Sequence, residues 1–320
     1  MRIAFIGTSH VHTPDYLSVC RDLPWVEMVG VARVDVETLN LLTDLPPIFD
    51  RQEELPPHDL AVVLTDIQSH DEVCARLSSP AVFIEKPLGL DGDRADGIGQ
   101  MLSSAGKRVE VGFFLRHSTA LKTLVDASKS PEIGNIRFAR FAFAHPGLSE
   151  GWLRHWPAHI AIERMGGGAF TDLAIHLVDA ALAILGPLRA TSCVLDKVGP
   201  GYGGLNQNFD SQGQATLTSA HGALVHVWAS AEAPEVMLTA QLICEHGEIS
   251  LNGGRVLLRY PPDNVTVLHD GQMPTPADGF RAALEALRNR ENPILEIADA
   301  VSVSQIMDSI LEKSETRSLR

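Results

Sequence analysis

The chain has 320 residues, with 26 Lys and Arg against 40 Asp and Glu and a net charge of −14. At about 150 residues per domain this length predicts two domains. With 45% hydrophobic and 21% charged residues, apolar material suffices for packed cores. The acid surplus argues against a nucleic acid or an anionic membrane as partner, because both need clustered positive charge. No apolar stretch reaches the roughly 18 to 20 uncharged residues of a membrane span. The start, Met1-Arg2-Ile3-Ala4-Phe5-Ile6-Gly7, is too short and too soon interrupted for a signal peptide. Cys20, Cys74, Cys193 and Cys244 show neither metal-ligand nor redox spacing, and no metal site is expected. A soluble, cytoplasmic protein is the expectation.

Arg2 to Ile6 reads as a first strand ending at Gly7, and Val26 to Val34 as a second. Between them Tyr16, Leu17, Cys20 and Leu23 recur at helical spacing. Leu60 to Leu64, Ala81 to Ile84 and Arg108 to Phe113 continue the strands, with helices over Asp71 to Leu77 and Asp93 to Ser103. This alternation implies right-handed crossovers and a parallel sheet covered on both faces, a Rossmann-type doubly wound α/β domain over 1–117. The Pro-rich stretch 45–57 reads as a surface loop. Beyond Arg116 the pattern changes. Helical Ser118 to Ser128, a strand over Ile136 to Ala144, and an apolar helix from Gly168 to Leu185 come first. Strands over 191–194, 214–218, 223–230, 237–244, 248–251 and 255–260 then follow without helices between them. Helices over Phe280 to Leu287 and Ile297 to Leu311 close the chain. The region 118–320 therefore reads as an α+β domain with a large, mostly antiparallel open sheet.

The first strand leads directly into a turn and helix, the place where a parallel sheet binds pyrophosphate. Gly7-Thr8-Ser9-His10-Val11-His12-Thr13 keeps the first glycine of the dinucleotide fingerprint, but has Ser9 at the second and His12 at the third. A degraded nucleotide turn and a plain strand–helix turn both satisfy these residues. Thr13-Pro14 reads as a cap residue before a helical proline. The second strand ends in Arg33, with Asp35 two residues on, where an acid usually meets the ribose. A guanidinium there suits a 2′-phosphate and so NADP; a solvated arginine at a strand end is the other reading. Val34 to Asp66 holds eight acids and one base, Arg51, so NADP stands only slightly ahead of NAD.

Two constellations carry chemistry. Glu85-Lys86-Pro87 follows a predicted buried parallel strand, where a lysine would enter the ligand crevice; a surface Lys–Glu pair before a turn is the alternative. Gly166-Gly167-Gly168 then opens a helix whose polar residues Asp172, His176 and Asp179 fall at i, i+4 and i+7, one stripe of an otherwise apolar face. Buried acids and imidazoles are costly unless paired or functional. A core histidine capped by aspartate is the ordinary explanation, and a site is the other. A lysine, a histidine and an aspartate are what alcohol oxidation with hydride transfer requires.

On these residues, together with Gly112 to Arg116 and Gly134 after Pro131-Glu132-Ile133, nearly the whole chain resembles the Gfo/Idh/MocA family of sugar and cyclitol oxidoreductases. The resemblance implies an NAD(P)-dependent dehydrogenase acting on a secondary hydroxyl of a sugar, sugar acid or cyclitol. It implies Lys86 as the catalytic lysine, His176 as general acid/base and Asp172 as its helper, all three touching substrate. Gly7, Ser9, His10, Arg33, His70, Glu85, Lys86 and Pro87 would contact cofactor, and Arg116 substrate. It also implies a homodimer or homotetramer formed through the C-terminal sheet. Departures from the pattern lie in the glycine loop, at Arg33 and at Thr65-Asp66, where an acid beside pyrophosphate would be repulsive if it pointed inwards. The loop Gly151 to His159 would set substrate identity, with Trp156 and His159 as contacts and Arg154 for an anionic group, although its tryptophans also suit buried anchors. A non-catalytic nucleotide- or sugar-sensing member, and a glycosidase or epimerase using transient NAD redox chemistry, are the competing functions.

Overall fold

Short apolar runs separated by helices assemble, in the computed structural model, into a six-stranded parallel sheet. The structure describes residues 1–198, 205–206, 208–291 and 296–318. The strands are β1 (Arg2–Ile6), β2 (Glu27–Ala32), β3 (Ile48–Phe49), β4 (Leu60–Val63), β5 (Ala81–Ile84) and β6 (Arg108–Val111). Their order is β3-β2-β1-β4-β5-β6, the doubly wound order with its switch between β1 and β4. Every residue of β4 and β5 is buried, as expected for strands covered on both faces. Helices α1 (Thr13–Asp22), α2 (His70–Cys74) and α3 (Gly92–Ser104) form the crossovers. Thr13 is the first residue of α1 rather than its cap, which is His12, and the Thr13 hydroxyl donates to His10 O at 2.6 Å. The two-residue β3 lies inside the Pro-rich stretch read as loop.

The second sheet has nine strands. Helix α4 (Thr119–Ser128), capped by the Ser118 hydroxyl, precedes β7 (Ile136–Ala144). Helix α5 (Ala169–Leu185) leads into β8 (Leu188–Lys197), β9 (Asp210–Ser219), β10 (Leu224–Ser230), β11 (Met237–Cys244), β12 (Glu248–Asn252), β13 (Gly254–Tyr260), β14 (Asn264–Gly271) and β15 (Ser314–Ser318). The order is β14-β13-β12-β11-β7-β10-β9-β8-β15. Among the described residues, β7–β10 and β8–β15 pair in parallel and the other neighbours are antiparallel. Alternating burial along β11 gives one face to the core, where α5 packs on β7, β9 and β10. The helical stretch Ile162–Leu185 is long and apolar enough to cross a membrane by length and composition, but 78% of its apolar window is buried inside the protein.

The chain divides into two compact units, and not at a single cut. The first holds Met1–Phe114, Trp152–Gly166 and Pro276–Gln305; the second holds Leu115–Gly151, Gly167–Thr275 and Ile306–Arg320. A boundary after 117 thus falls near one crossing but leaves out two returns to the first unit. Burial explains the larger return, helix α6 (Pro276–Asn289). Its Phe280, Ala283, Leu284 and Leu287 join Ile3, Phe5, Tyr16, Leu17 and Phe83 in one apolar cluster. Phe280 stacks on Tyr16 at 4.2 Å between centroids. The last helix, α7 (Ile297–Glu312), is shared between the units.

Candidate active site

In the first unit the turn after β1 is fitted against the end of β4. Gly7 takes φ +87°, and a Cβ there would lie 2.5 Å from the Thr65 backbone nitrogen, so only glycine fits. The N–H groups of Ser9 and His10 both donate to Leu64 O, at 3.0 and 3.2 Å. The turn therefore presents a hydroxyl and an imidazole rather than a row of backbone donors. Ser9 Oγ donates to Asp35 Oδ2 at 3.0 Å, and the Asp35 N–H donates to Thr8 Oγ1 at 2.8 Å. Burial works to raise the Asp35 carboxyl, but the Glu37 N–H, the Ser9 hydroxyl and Arg164 outweigh it and hold it below the ordinary value. Arg33 turns elsewhere: in a left-handed backbone at φ +56°, its guanidinium makes a two-point pair with Glu72 at 2.9 and 3.3 Å. The acid beside the Ser9 turn is Asp35, displaced two residues from the usual strand end.

Glu85-Lys86-Pro87 leaves the end of β5 wholly buried, Lys86 being 2% exposed. Glu85 accepts the Tyr16 hydroxyl and, at 3.0 Å, the Lys86 N–H. Burial, and then the Glu85 charge, hold the Tyr16 phenol well above its usual pKa. Gly112 makes room for this carboxylate, since a Cβ there would stand 2.5 Å from Glu85 Oε2. His10 Nδ1 accepts the His12 N–H at 3.3 Å, which places the imidazole proton on Nε2, 3.5 Å from Glu85 Oε2. Burial keeps His10 neutral, and the charge of Lys86 acts in the same direction. His70 Nδ1 lies 3.1 Å from Leu88 O, and burial brings its pKa down to about 4 despite that carbonyl. His159 sits edge-on to His10 at 4.7 Å between ring centroids. Trp156 is a buried anchor of its segment.

The second unit holds the other half of the predicted chemistry on α5. Asp172 and His176 share one face of the helix, a turn apart. The His176 ring is buried and stands edge-on to Phe143 at 6.1 Å. Asp179, the third member of the stripe, is fully buried and bound by Arg116, whose Nε donates to both carboxylate oxygens at 2.9 Å. Arg116, for which a ligand contact was expected, thus pairs with Asp179. Helix α5 starts at Gly168 with no side-chain cap of its own. Asp210, on β9, supplies one: its carboxylate accepts Gly168 N–H at 3.0 Å and Phe170 N–H at 2.6 Å. Burial pushes the Asp210 carboxyl up to about 6 against the pull of those two N–H groups.

Thus Gly7, Ser9, His10, His70, Glu85, Lys86, Pro87 and His159 gather in the first unit, while Asp172, His176 and Arg116 lie in the second. Sequence reasoning did not single out Tyr16, Arg164 or Asp210. Arg164 lies two residues before the glycine run, its one visible signal, and Asp210 has none.

A family model described as the GFO/IDH/MocA C-terminal domain matches residues 120–250. Over those residues the chain is similar to the Gfo/Idh/MocA family. It is 30% identical over 154 residues to a dTDP-3,4-didehydro-2,6-dideoxy-alpha-D-glucose 3-reductase of Streptomyces antibioticus, covering 48% of this chain and 43% of that protein. It is 28% identical over 156 residues to an inositol 2-dehydrogenase of Rhizobium meliloti, covering 46% and 44%. The chain thus spans less than half the length of these curated relatives. The fold matches that of a 3-ketoreductase from Actinomadura kijaniata, solved with NADP and TDP-benzene. That match has a TM-score of 0.81 and 18% identity over 100% of this chain and 99% of that one.

Proposed function

We propose that this chain is an NAD(P)-dependent oxidoreductase that moves a hydride between nicotinamide and a secondary hydroxyl, or the matching ketone, of a sugar, sugar acid or cyclitol. The observation that carries this reading is the buried Lys86, set between Glu85 and Pro87 at the end of β5 in a doubly wound sheet. A second observation fits a bound dinucleotide. Among the described residues, the buried Thr65 Oγ1 has no hydrogen-bond partner, and His10 Nε2 has only Glu85 Oε2, at 3.5 Å. Such atoms cost stability unless a ligand satisfies them.

The turn residues Gly7, Ser9 and His10, with His70, Glu85, Lys86 and Pro87, would hold the cofactor, and Asp35 the adenosine ribose. When bound, nicotinamide supplies or accepts the hydride. His176 takes the hydroxyl proton during oxidation and returns it during reduction, because imidazole titrates near working pH. Asp172, a turn away on the same helix face, orients that imidazole. The Lys86 ammonium donates to the reacting oxygen. Asp35 beside Ser9, with Arg33 engaged by Glu72, favours NAD over NADP. The functions of these relatives support a keto-sugar or cyclitol substrate.

Fluorescence titration with NADH and NADPH, then a panel of polyols and keto-sugars with the tighter cofactor, tests this reading. His176→Ala should abolish turnover while leaving cofactor binding intact; unchanged turnover would sink the mechanism. The spent N–H groups of Ser9 and His10 favour a second reading, a non-catalytic sensing member, which predicts ligand binding without turnover of any panel compound.

A further inference from the structure

Three acids of the first unit converge on one guanidinium. Arg164 donates from Nε to Asp66 Oδ2 at 2.8 Å, from one terminal nitrogen to Asp35 Oδ2 at 3.1 Å, and from the other to Glu37 Oε2 at 3.4 Å. Asp35 and Asp66 are mostly buried, with side chains 10% and 15% exposed. They follow β2 and β4, the strands on either side of β1 and its Ser9 turn. This is the crevice in which a doubly wound sheet receives a dinucleotide. Of the other basic groups, Lys86 follows β5, one strand beyond β4. His10 and His70 are held neutral by burial, and Arg33 is paired with Glu72. Asp66 Oδ1 is occupied by the Ser69 N–H and hydroxyl, at 3.1 and 2.6 Å, which fixes the carboxylate without neutralising it. A pyrophosphate entering here would meet like charges from both flanking strands, and partly buried charges are weakly screened.

We infer that Arg164 is a positioning residue for the nucleotide: its guanidinium holds Asp35 for the adenosine ribose and cancels Asp66 where the pyrophosphate passes. The inference rests on the proposed dinucleotide role. It differs from a contact residue in its prediction, because Arg164 acts through two carboxylates and its loss can be repaired at one of them. An arginine suits this better than a lysine, since three separate acids need a planar, multiply donating group.

The test is fluorescence titration with NADH of wild type, Arg164→Met, Asp66→Asn and the double variant, in low and high salt. Arg164→Met should weaken NADH about tenfold or more, with part of the loss recovered in high salt. Asp66→Asn alone should bind at least as tightly as wild type. In the double variant Asp66→Asn should restore most of what Arg164→Met loses. If Arg164→Met does not fold, Arg164→Lys supplies the charge and should bind within a few-fold of wild type. Equal or tighter binding by Arg164→Met, or a loss that Asp66→Asn does not repair, overturns the inference. Failure of wild type to bind either dinucleotide is visible before any variant is made, and removes the functional reading together with this one.

Discussion

Replacing Asp210 by alanine should loosen the helix that carries Asp172 and His176. Helix α5 begins after Gly168, where a Cβ would collide with the Asp210 carboxylate, so acid and glycine are fitted to one another. The variant leaves the N–H groups of Gly168 and Phe170 without their acceptor in a buried place. Orphaned buried donors and a lost cap together amount to about 2–3 kcal/mol. For a unit of this size that lowers the melting temperature by roughly 5–10 °C. A displacement of about 1 Å at the helix start would also reduce turnover by as much as about a hundredfold.

The wild-type carboxyl adds a pH signature, because burial lifts it from 3.8 to about 6. Between those values the folded chain holds a proton that the unfolded chain releases. The group therefore adds stability at low pH, which is lost as pH rises towards 6, in all about 3 kcal/mol. Asp210→Asn keeps one acceptor and cannot ionise, so its deficit against wild type should shrink as pH rises from about 4 to 7. Thermal melts across that range read both effects. An unchanged melting temperature for Asp210→Ala would refute the capping argument. A measured Asp210 pKa below the ordinary carboxylate value would show that the two N–H groups outweigh burial.

Three further outcomes follow from single contacts. Gly112→Ala drives a methyl group into the Glu85 carboxylate and should cost about 1–3 kcal/mol in denaturant titration, with Gly112→Ser at least as harmful. Arg116→Met removes the cation paired with the buried Asp179 and should cost about 3–5 kcal/mol, whereas Arg116→Met with Asp179→Leu should recover part of that stability. His70 has its pKa depressed from 6.5 to about 4 by burial, so the unfolded chain protonates first as pH falls. Its contribution is whole above 6.5 and is lost on the way down to 4, about 3 kcal/mol, and denaturant midpoints of His70→Gln should lack that part of the acid slope.

Much of this architecture was legible because burial leaves a plain pattern. Fully buried β4 and β5 are short apolar runs, and α5 is apolar on all but one stripe. What stayed hidden was held by distant or weakly patterned partners. β14 is largely exposed on both faces, Val265 and Val267 included, as an edge strand can be, and so did not stand out from a loop. Helix α6 has a clear apolar face, but nothing in its sequence says that the face belongs to the first sheet. The same holds for the site. Lys86, Asp172 and His176 stand in motifs, and Asp179 stood with them until Arg116 showed it to be half of an ion pair. Asp210 lies 42 residues from the N–H of Gly168 that it caps. Arg164 reads in the chain as a neighbour of Glu163 and earns its meaning only from Asp35 and Asp66.

The central claim, hydride chemistry at Lys86 and His176, is tested most directly by following reduced-nicotinamide absorbance. Wild type, Lys86→Met and His176→Ala are each mixed with NADH and a panel of nucleotide-linked and free keto-sugars and inosose-type cyclitols. The account predicts NADH consumption by wild type with at least one compound and almost none by either variant, with all three proteins still binding a dinucleotide. Turnover that survives both substitutions, or a wild type that binds NADH and consumes it with no compound, would contradict it.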